Sequence, residues 1–494
     1  MEAAPESQLT DRQEPGCGRL GVGPALSVAL ALAAGLALRL WMLKEFFEVA
    51  GDSLVYGSLA KNLLLHGHYA ITDPDPSLIR LPGYPLFLAL CFRLFGMENY
   101  APAVWAQIAL DLVGGLLLAG FVRRVAPPAL ASGAAQCTLW LAMLCPFTAI
   151  YATEPMSEGL TLFFLALALW SAAGFIRRPE WASALWFTLA VTCEALLRPD
   201  GALAAVALAP ALLIGLRCGK TGDGVPPPKK LARMVLVCVL LALTPFAAWT
   251  WRNWRVFHVI EPLAPRYATS PGEDPNLGWK RWFKSWSLDF VSTFEVSWQV
   301  PDGALDLNTL PSRAFDTSRQ YAETAALAAE YNANGQQLTP ELDAGFGRLA
   351  EERIAAHPLR YYLWLPLGRV ADMWLRPRVE NLPIDLDWWV YENHPEETEI
   401  SWGYAALNLV YLLLAAGGLW LRPRLWPAML AYMVLRSALL LTVGAPEARY
   451  TIECFPILFA LAGIALYRLT YWVLASVLKV NAPPGKDSLT LMLK

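Results

Sequence analysis

The sequence predicts an all-α membrane protein that crosses the bilayer many times, and three observations predict it. Of 494 residues, 56% are hydrophobic and only 16% are charged, against about 25% charged in ordinary globular domains. A soluble surface of this size needs more charge. The mean hydropathy is +0.38, and the apolar residues fall into ten blocks near the length that a helix needs to cross ~30 Å of hydrocarbon. The basic residues gather in alternate connections between those blocks, the pattern of the positive-inside rule. A net charge of −3 leaves no basic footprint for a nucleic-acid partner. The eight cysteines include no C-x-x-C pair, which argues against structural zinc and a disulfide framework.

The first block, 24–43, is too long for a signal-peptide core, lacks a small-residue cleavage site and reads as an uncleaved anchor. The others are 101–122, 130–150, 158–176, 181–197, 200–216, 232–249, 403–421, 425–443 and 452–475. Arg123 and Arg124 follow the second, and Arg177 and Arg178 the fourth. Arg217, Lys220, Lys229, Lys230 and Arg233 lie between the sixth and seventh. Arg422 and Arg424 follow the eighth, and Lys479, Lys486 and Lys494 the tenth. With both termini cytoplasmic, all of these fall inside. The chain then divides into a cytoplasmic tail (1–23), an N-terminal membrane module (24–255) with a first outer loop at 45–100, an outer region at 256–402, C-terminal membrane helices (403–476) and a second tail (477–494). Tyr84–Gly96 is apolar but short, and Tyr361–Leu375 is amphipathic and carries Arg369 and Asp372; both are placed on the outer surface. If they or others cross as a pair, ten spans become twelve.

The outer region 256–402 reads as a small helical domain with interfacial helices. Thr339-Pro340-Glu341 supplies an N-cap, an N1 proline and a first-turn acid for a helix to about Ala356. A second helix is expected over Ser312–Asn332. Trp279, Trp282 and Trp286 are read as part of an interfacial aromatic belt. Asp111 and Glu194 lie inside apolar blocks, where acids are functional candidates by default.

The first outer loop holds the densest pattern. Asp52 is expected to cap a short amphipathic helix whose apolar stripe is Leu54, Val55, Leu59 and Leu63 and which ends near Gly67. The loop reads G-D-S-x-x-Y-x-x-x-A-x-N-L from Gly51, then R-x-P-G-Y-P-L-F-L-A from Arg80. These motifs resemble the first outer loop of the bacterial family 39 glycosyltransferases, of the GT-C superfold. Thr153–Glu158, Leu197–Gly201, Trp249–Trp254 and Glu447–Tyr450 resemble further family motifs in the same order. The resemblance covers about 50–255 and 400–475 and leaves 256–400 without a counterpart.

The resemblance implies a GT-C-type bundle of about 10–12 transmembrane helices in the bacterial inner membrane, with a periplasmic active site. It implies transfer of a sugar, with inversion, from a polyprenyl-phosphate donor to a hydroxyl of a lipid, glycan or protein acceptor. Asp52 matches the catalytic base and Glu154 a second carboxylate that orients the acceptor. Ser53 stands where some relatives carry another acid. Arg80, Arg198, Arg252 and Arg449 are the candidates for holding the donor phosphate, and Tyr56, Tyr84, Glu158 and Tyr450 for lining the substrate. The matched loops contain no D-x-D; Asp73/Asp75 and Asp385/Asp387 have that spacing elsewhere. A reaction without metal or other cofactor is expected. Two rival readings stay open. One is a transporter or flippase for a lipid-linked sugar. The other is an O-antigen-ligase-like enzyme, which would draw on outer histidines such as His258, His357 and His394.

Overall fold

The computed structural model describes residues 22–218 and 227–477. Most of the expected N-terminal tail, with Cys17, and the expected C-terminal tail from 478, with Lys479, Lys486 and Lys494, lie outside the described residues, as does Lys220. The architecture is helical; the described residues hold an isolated bridge between Ala70 and Pro76 and no named strand. Among the described residues, six helices are long and apolar enough to cross a membrane. They are α1 (Val22–Phe46), α4 (Ala101–Val125), α7 (Ser157–Arg177), α10 (Pro228–Phe257), α16 (Pro395–Trp420) and α18 (Phe455–Val477), the last with the turn before it. A seventh span is the pair α5 (Ala131–Met143) and α6 (Pro146–Thr153), bent by 55°. The bend falls where Pro146 has no N–H with which to continue α5 and instead opens the new helix.

By length and composition alone, six helices of the described residues, or seven spans with the bent pair, pass as candidates, against the ten to twelve spans expected. The blocks counted in addition do form apolar helices: α8 (Trp181–Leu197), α9 (Ala202–Cys218) and α17 (Trp426–Leu440). They have 17, 17 and 15 residues, which at 1.5 Å per residue rise about 22–26 Å, near the lower end of spanning lengths; the chain through α17 nonetheless runs from Arg424, beside Val125, to Thr442, beside Lys284, and so joins the two ends of the bundle. The bundle also turns an apolar surface outward. On α10, Leu236, Leu240 and Leu243 are each more than half exposed, a surface that lipid accepts and water does not. The chain is a multi-pass membrane protein.

Contacts between connections sort them to two ends. At one, the Arg424 N–H donates to Val125 O (2.9 Å), and Arg124, Arg177 and Arg424 surround one cleft. Three of the expected basic clusters therefore share an end. At the other, Arg252 donates to Ser77 O (2.7 Å), Asn381 to Glu154 and Lys284 to Thr442 O. The long stretches 47–100 and 258–394 meet the short turns there.

Small residues and stacked aromatics close the bundle core. The rings of Phe147, Tyr411, Phe455 and Phe459 pack with centroids 5.6–6.2 Å apart. On the facing helices, a Cβ at Gly418 would overlap the Leu461 carbonyl, and one at Gly463 would overlap Thr138. These glycines let backbones approach closely, as small residues do in membrane bundles. The acid expected inside the second span has its counter-ion: Asp111 pairs with the buried Arg39 of α1.

The region 258–394 contains a separately cored helical unit of α11 (Leu277–Lys284), the short turn α12 (Phe290–Ser292), α13 (Ser318–Ala333) and α14 (Pro340–Ala356). Thr339 caps α14 as expected, its hydroxyl accepting the Leu342 N–H. The expected helix over 312–332 begins later, at Ser318, because Thr317 caps it there through the Gln320 N–H. Trp279, Trp282 and Trp286 are not an interfacial belt. Their spacing puts them on one face of α11 and its extension, buried against Phe346 of α14. The Asp343 carboxylate accepts the N–H groups of Gly278 and Trp279 and fastens the two helices. A further helix, α15 (Leu365–Leu375), leads back towards α16.

Of the surface helices, α2 (Asp52–His66) ends at Gly67 in the left-handed conformation, as expected. Its buried face is Tyr56, Leu59 and Ala60, whereas Leu54 of the expected stripe points outward. In α3 (Gly83–Phe95), Tyr84, Leu88 and Phe92 are buried and Leu86, Leu90 and Leu94 are exposed.

Overlap at the close helix contacts gives a direct test. Gly418→Ala and Gly463→Ala should each destabilise the detergent-solubilised protein by about 1–3 kcal/mol, the usual cost of overpacking. Gly403→Ala, which meets nothing within 4 Å, should leave the melting temperature unchanged.

Candidate active site

Asp52 opens α2, directly after Gly51, whose φ of 52° requires a residue without a Cβ. It sits inside the first turn rather than at the cap, and makes no capping hydrogen bond. Its two oxygens instead face two arginines. Arg80 Nη2 donates to Oδ1 at 2.8 Å and Arg449 Nη1 to Oδ2 at 2.9 Å. Burial alone would raise the Asp52 pKa; the guanidiniums of Arg449 and Arg80 outweigh it and hold the carboxyl at about 2.

The loop that carries Arg80 is built for position. Asn62 donates to Ala70 O and Ile71 O, and the Tyr69 hydroxyl to Arg80 O and Leu81 O. Arg252 ties the same loop to α10 through Tyr69 O and Ser77 O, its guanidinium set among the rings of Tyr69, Trp249 and Phe257. Arg252 is therefore not among the arginines at Asp52. Its Nη1 and Nη2 donate to carbonyl oxygens, and it holds the loop that carries Arg80.

Arg449 leads inward. It pairs with Glu447 and stands 3.8 Å from Glu158, the first-turn acid of α7. Glu158 pairs with Arg198 at 2.7 Å, which also reaches Glu453 at 2.9 Å and Asp200 at 3.4 Å. Arg436, fully buried on α17, closes the series on Asp200 and Glu453. The Tyr450 ring lies beneath both Arg198 and Arg449, and its hydroxyl donates to Glu447. Acids and arginines thus alternate from the surface loop into the bundle.

Glu154 stands beside this series. Both of its oxygens accept from Asn381 Nδ2, at 2.9 and 2.8 Å. Burial outweighs those bonds, and with the nearby Glu158 charge it pushes the carboxyl up to about 7. Gln107 donates to the Glu154 carbonyl at 2.7 Å and accepts from the Tyr84 hydroxyl at 2.6 Å. Tyr84 is wholly enclosed and stacks edge-on against Tyr56. It supports Glu154 from behind and does not line an open site, contrary to expectation. Tyr56 is nearly as buried, with Asp52 and Glu158 both close enough to act on its hydroxyl.

The structure therefore brings together Asp52, Arg80, Arg449, Glu158, Arg198 and Tyr450, with Glu154 at their side. Reading the sequence alone missed Glu447, Asp200, Arg436, Glu453 and Asn381. Arg436 and Glu453 carried a signal: each is a charge inside or at the edge of an apolar block. Asn381 carried none, lying in an irregular stretch.

Among the described residues, the one grouping of donors close enough for a metal ion is Asp385, Asp387 and His394. It is separate from the Asp52 series, and the His394 nitrogens are 3.3 and 3.2 Å from the two aspartates. The other outer histidines, His258 and His357, take no part in the Asp52 series either.

No protein-family model and no curated protein matches the chain. Among solved structures it is similar to archaeal oligosaccharyltransferase AglB from Archaeoglobus fulgidus, in complex with an inhibitory peptide and a dolichol-phosphate, at 12% identity and a TM-score of 0.47. That match covers 96% of this chain and 54% of the other, so the chain spans about half the length of AglB. It is also similar to ArnT from Cupriavidus metallidurans bound to undecaprenyl phosphate, at 16% identity and a TM-score of 0.39, covering 93% of this chain and 81% of that one. Apo ArnT gives 15% identity and a TM-score of 0.36, with 94% and 82% covered. At these identities and scores the likeness assigns no residue a role.

Proposed function

We propose that the protein is an integral membrane glycosyltransferase of the GT-C type, acting at the periplasmic face of a bacterial inner membrane. It moves a sugar from a polyprenyl-phosphate donor to an acceptor hydroxyl, with inversion. The observation that carries this reading is a single carboxylate, Asp52, clasped by two arginines from distant loops. It sits where the first-loop acid of the family 39 glycosyltransferases is expected.

The arrangement suits the chemistry. The donor is a phosphodiester with one negative charge, and its leaving group gains a second as the bond to the sugar breaks. Arg449 and Arg80 supply paired N–H donors for those oxygens. A phosphate on the arginines competes with Asp52 for them. Losing that clasp removes what holds the Asp52 pKa at about 2, so donor binding itself makes Asp52 more basic. Asp52 then takes the acceptor proton as the hydroxyl oxygen attacks the anomeric carbon, and polyprenyl phosphate leaves from the opposite face. Glu154 orients the acceptor. The donor sugar and the acceptor belong to pocket shape and are left open by this chemistry, and no step in it calls for a metal.

The buried charges of Glu194, Arg436 and Glu453 favour a second reading, a flippase for a lipid-linked sugar. Movement of such a lipid across a proteoliposome without transfer would replace the first reading with this one. The O-antigen-ligase-like reading needs a histidine at the site, and the Asp52 series includes none.

Purified protein in lipid nanodiscs, given radiolabelled polyprenyl-phosphate sugars and candidate acceptors, tests the role of Asp52. Asp52→Asn should lower kcat by about 10²–10⁴ and leave the donor KM unchanged or reduced, because Arg80 and Arg449 are then free for phosphate. Transfer equal to wild type would refute the assignment.

The Glu154 carboxyl should appear in the pH profile. Its folded pKa of about 7 lies above the ordinary 4.5, so it loses its proton as pH rises through neutrality. Wild-type kcat/KM should climb from about pH 6 to about pH 8, and the profile of Glu154→Gln should be flat over that range. The same shift fixes a stability trend. The protonated carboxyl favours the folded state below its unfolded pKa, and that advantage is lost as pH rises through about 7. The melting temperature of wild type relative to Glu154→Gln should therefore fall between about pH 5 and about pH 8.

A further inference from the structure

A second cationic site lies away from Asp52, where the helical unit of 258–394 meets the end of α17. An open cleft of about 340 Å³ is lined there by Arg266, Lys284, Tyr361, Tyr362, Leu441 and Thr442, among others. That volume is at the lower end of ligand-sized pockets. Its lining residues include two cations and no acid.

The cations have no counter-charge. Lys284 Nζ donates to the Thr442 carbonyl at 2.8 Å, and among the described residues neither Lys284 nor Arg266 forms an ion pair. Behind Lys284 lies Arg369, fully enclosed, with one nitrogen bonded to Lys284 O and Ser287 O and with Nε and Nη2 unpartnered. No carboxylate acts on Arg369. Burial, followed by the like charges of Arg369 and Arg266, holds the Lys284 ammonium below its usual pKa. Three positive groups thus repel one another around a cleft that a single anion would relieve. The buried Arg39, Arg198 and Arg436 are matched with acids and the buried Arg378 has a bond for each of its nitrogens; among the described residues Arg369 has neither an acid nor partners for two of its nitrogens.

The rim indicates where that anion comes from. Leu359, Tyr362 and Trp364 stand about two-thirds exposed beside the cleft, an apolar and aromatic ridge suited to the membrane–water interface. Leu441 and Thr442 immediately follow the apolar helix α17. A cleft at the end of an apolar helix, with such a ridge beside it, suits the headgroup layer.

We propose that Arg266 and Lys284, backed by Arg369, form a binding site for a phosphate anion, supplied by the headgroup of an anionic membrane lipid. The site is independent of the transfer reaction, so Asp52→Asn should not affect it.

The test uses the full-length protein in detergent and native mass spectrometry, with phosphatidylglycerol titrated against a phosphatidylcholine background and inorganic phosphate titrated separately. Arg266→Gln alters an exposed residue and should fold normally; Lys284→Gln keeps a donor for Thr442 O, and the melting temperatures of both check the fold. Wild type and Asp52→Asn should bind phosphatidylglycerol equally, and the double variant about tenfold or more weakly, having lost two charge-assisted contacts. If the variants instead weaken only inorganic phosphate, the anion site stands and its ligand is free phosphate. If they weaken neither, the proposal is wrong.

Discussion

A charge among apolar helices must meet its opposite, and most of what distinguishes this structure follows from that requirement. Leaving one partner of a buried ion pair alone costs about 3–5 kcal/mol, so an arginine carried inward with an acid, as Arg39, Arg198 and Arg436 are, fixes the position of that acid from another element. Arg198 binds acids from α7, from the turn after α8 and from the turn before α18. Arg436 binds two of the same turns from α17. Four segments far apart in the chain are thereby locked into one register. The loop acid Asp52 is the outermost member of that series, and its geometry is inherited from pairs deeper in the bundle. In physical terms the site is preorganised by desolvation: once the inner pairs are formed, Arg449 has few other places to go.

That same requirement explains what could be read in advance and what could not. Apolar blocks are local, and each expected block is a helix in the structure. Length alone separates them less well: a 15-residue helix and a 21-residue helix look alike to a hydropathy window, and only the contacts at their two ends show what each connects. Asp52, Arg80 and Arg449 were visible as motif residues. Their meeting was not, since pairing between residues 397 positions apart leaves no periodicity behind. The place of Arg252, away from Asp52, was hidden for a related reason. A guanidinium next to tryptophans near a span end looks like a ligand-binding group, and only three dimensions reveal that backbone carbonyls already occupy it. The tryptophans of α11 show the reverse error. Their i, i+3, i+7 spacing is common to an interfacial face and to a core face, and the choice depended on Phe346, which lies more than sixty residues away.

The two carboxylates at the site differ through their surroundings rather than their chemistry. Asp52 faces two guanidiniums and Glu154 faces one amide and a second acid. The first is held ionised and the second is poised near neutrality, a separation that commonly marks distinct acid–base tasks. Asn381 satisfies both oxygens of the buried Glu154, and it comes from the stretch of chain for which no family motif was found. The helical unit that includes α11 and α14 is thus more than an appendage: the chain that returns from it to α16 completes the pocket around Glu154.

The distance along the chain between Asp52 and Arg449 also has a consequence in time. A ribosome adds about 5–20 residues per second, so once Asp52 has been made, roughly 20–80 s pass before Arg449 exists. Arg80 follows within 28 residues and is the only one of the two guanidiniums available during that interval. The nascent site is therefore a half-clasped carboxylate, dependent on a near neighbour while most of the membrane helices are still being inserted. The helices that carry Arg436 and Glu453 arrive just before and just after Arg449. Until those helices are made, Asp200 lacks Arg436 and Arg198 lacks Glu453, so the inner pairs that fix the register are among the last to form.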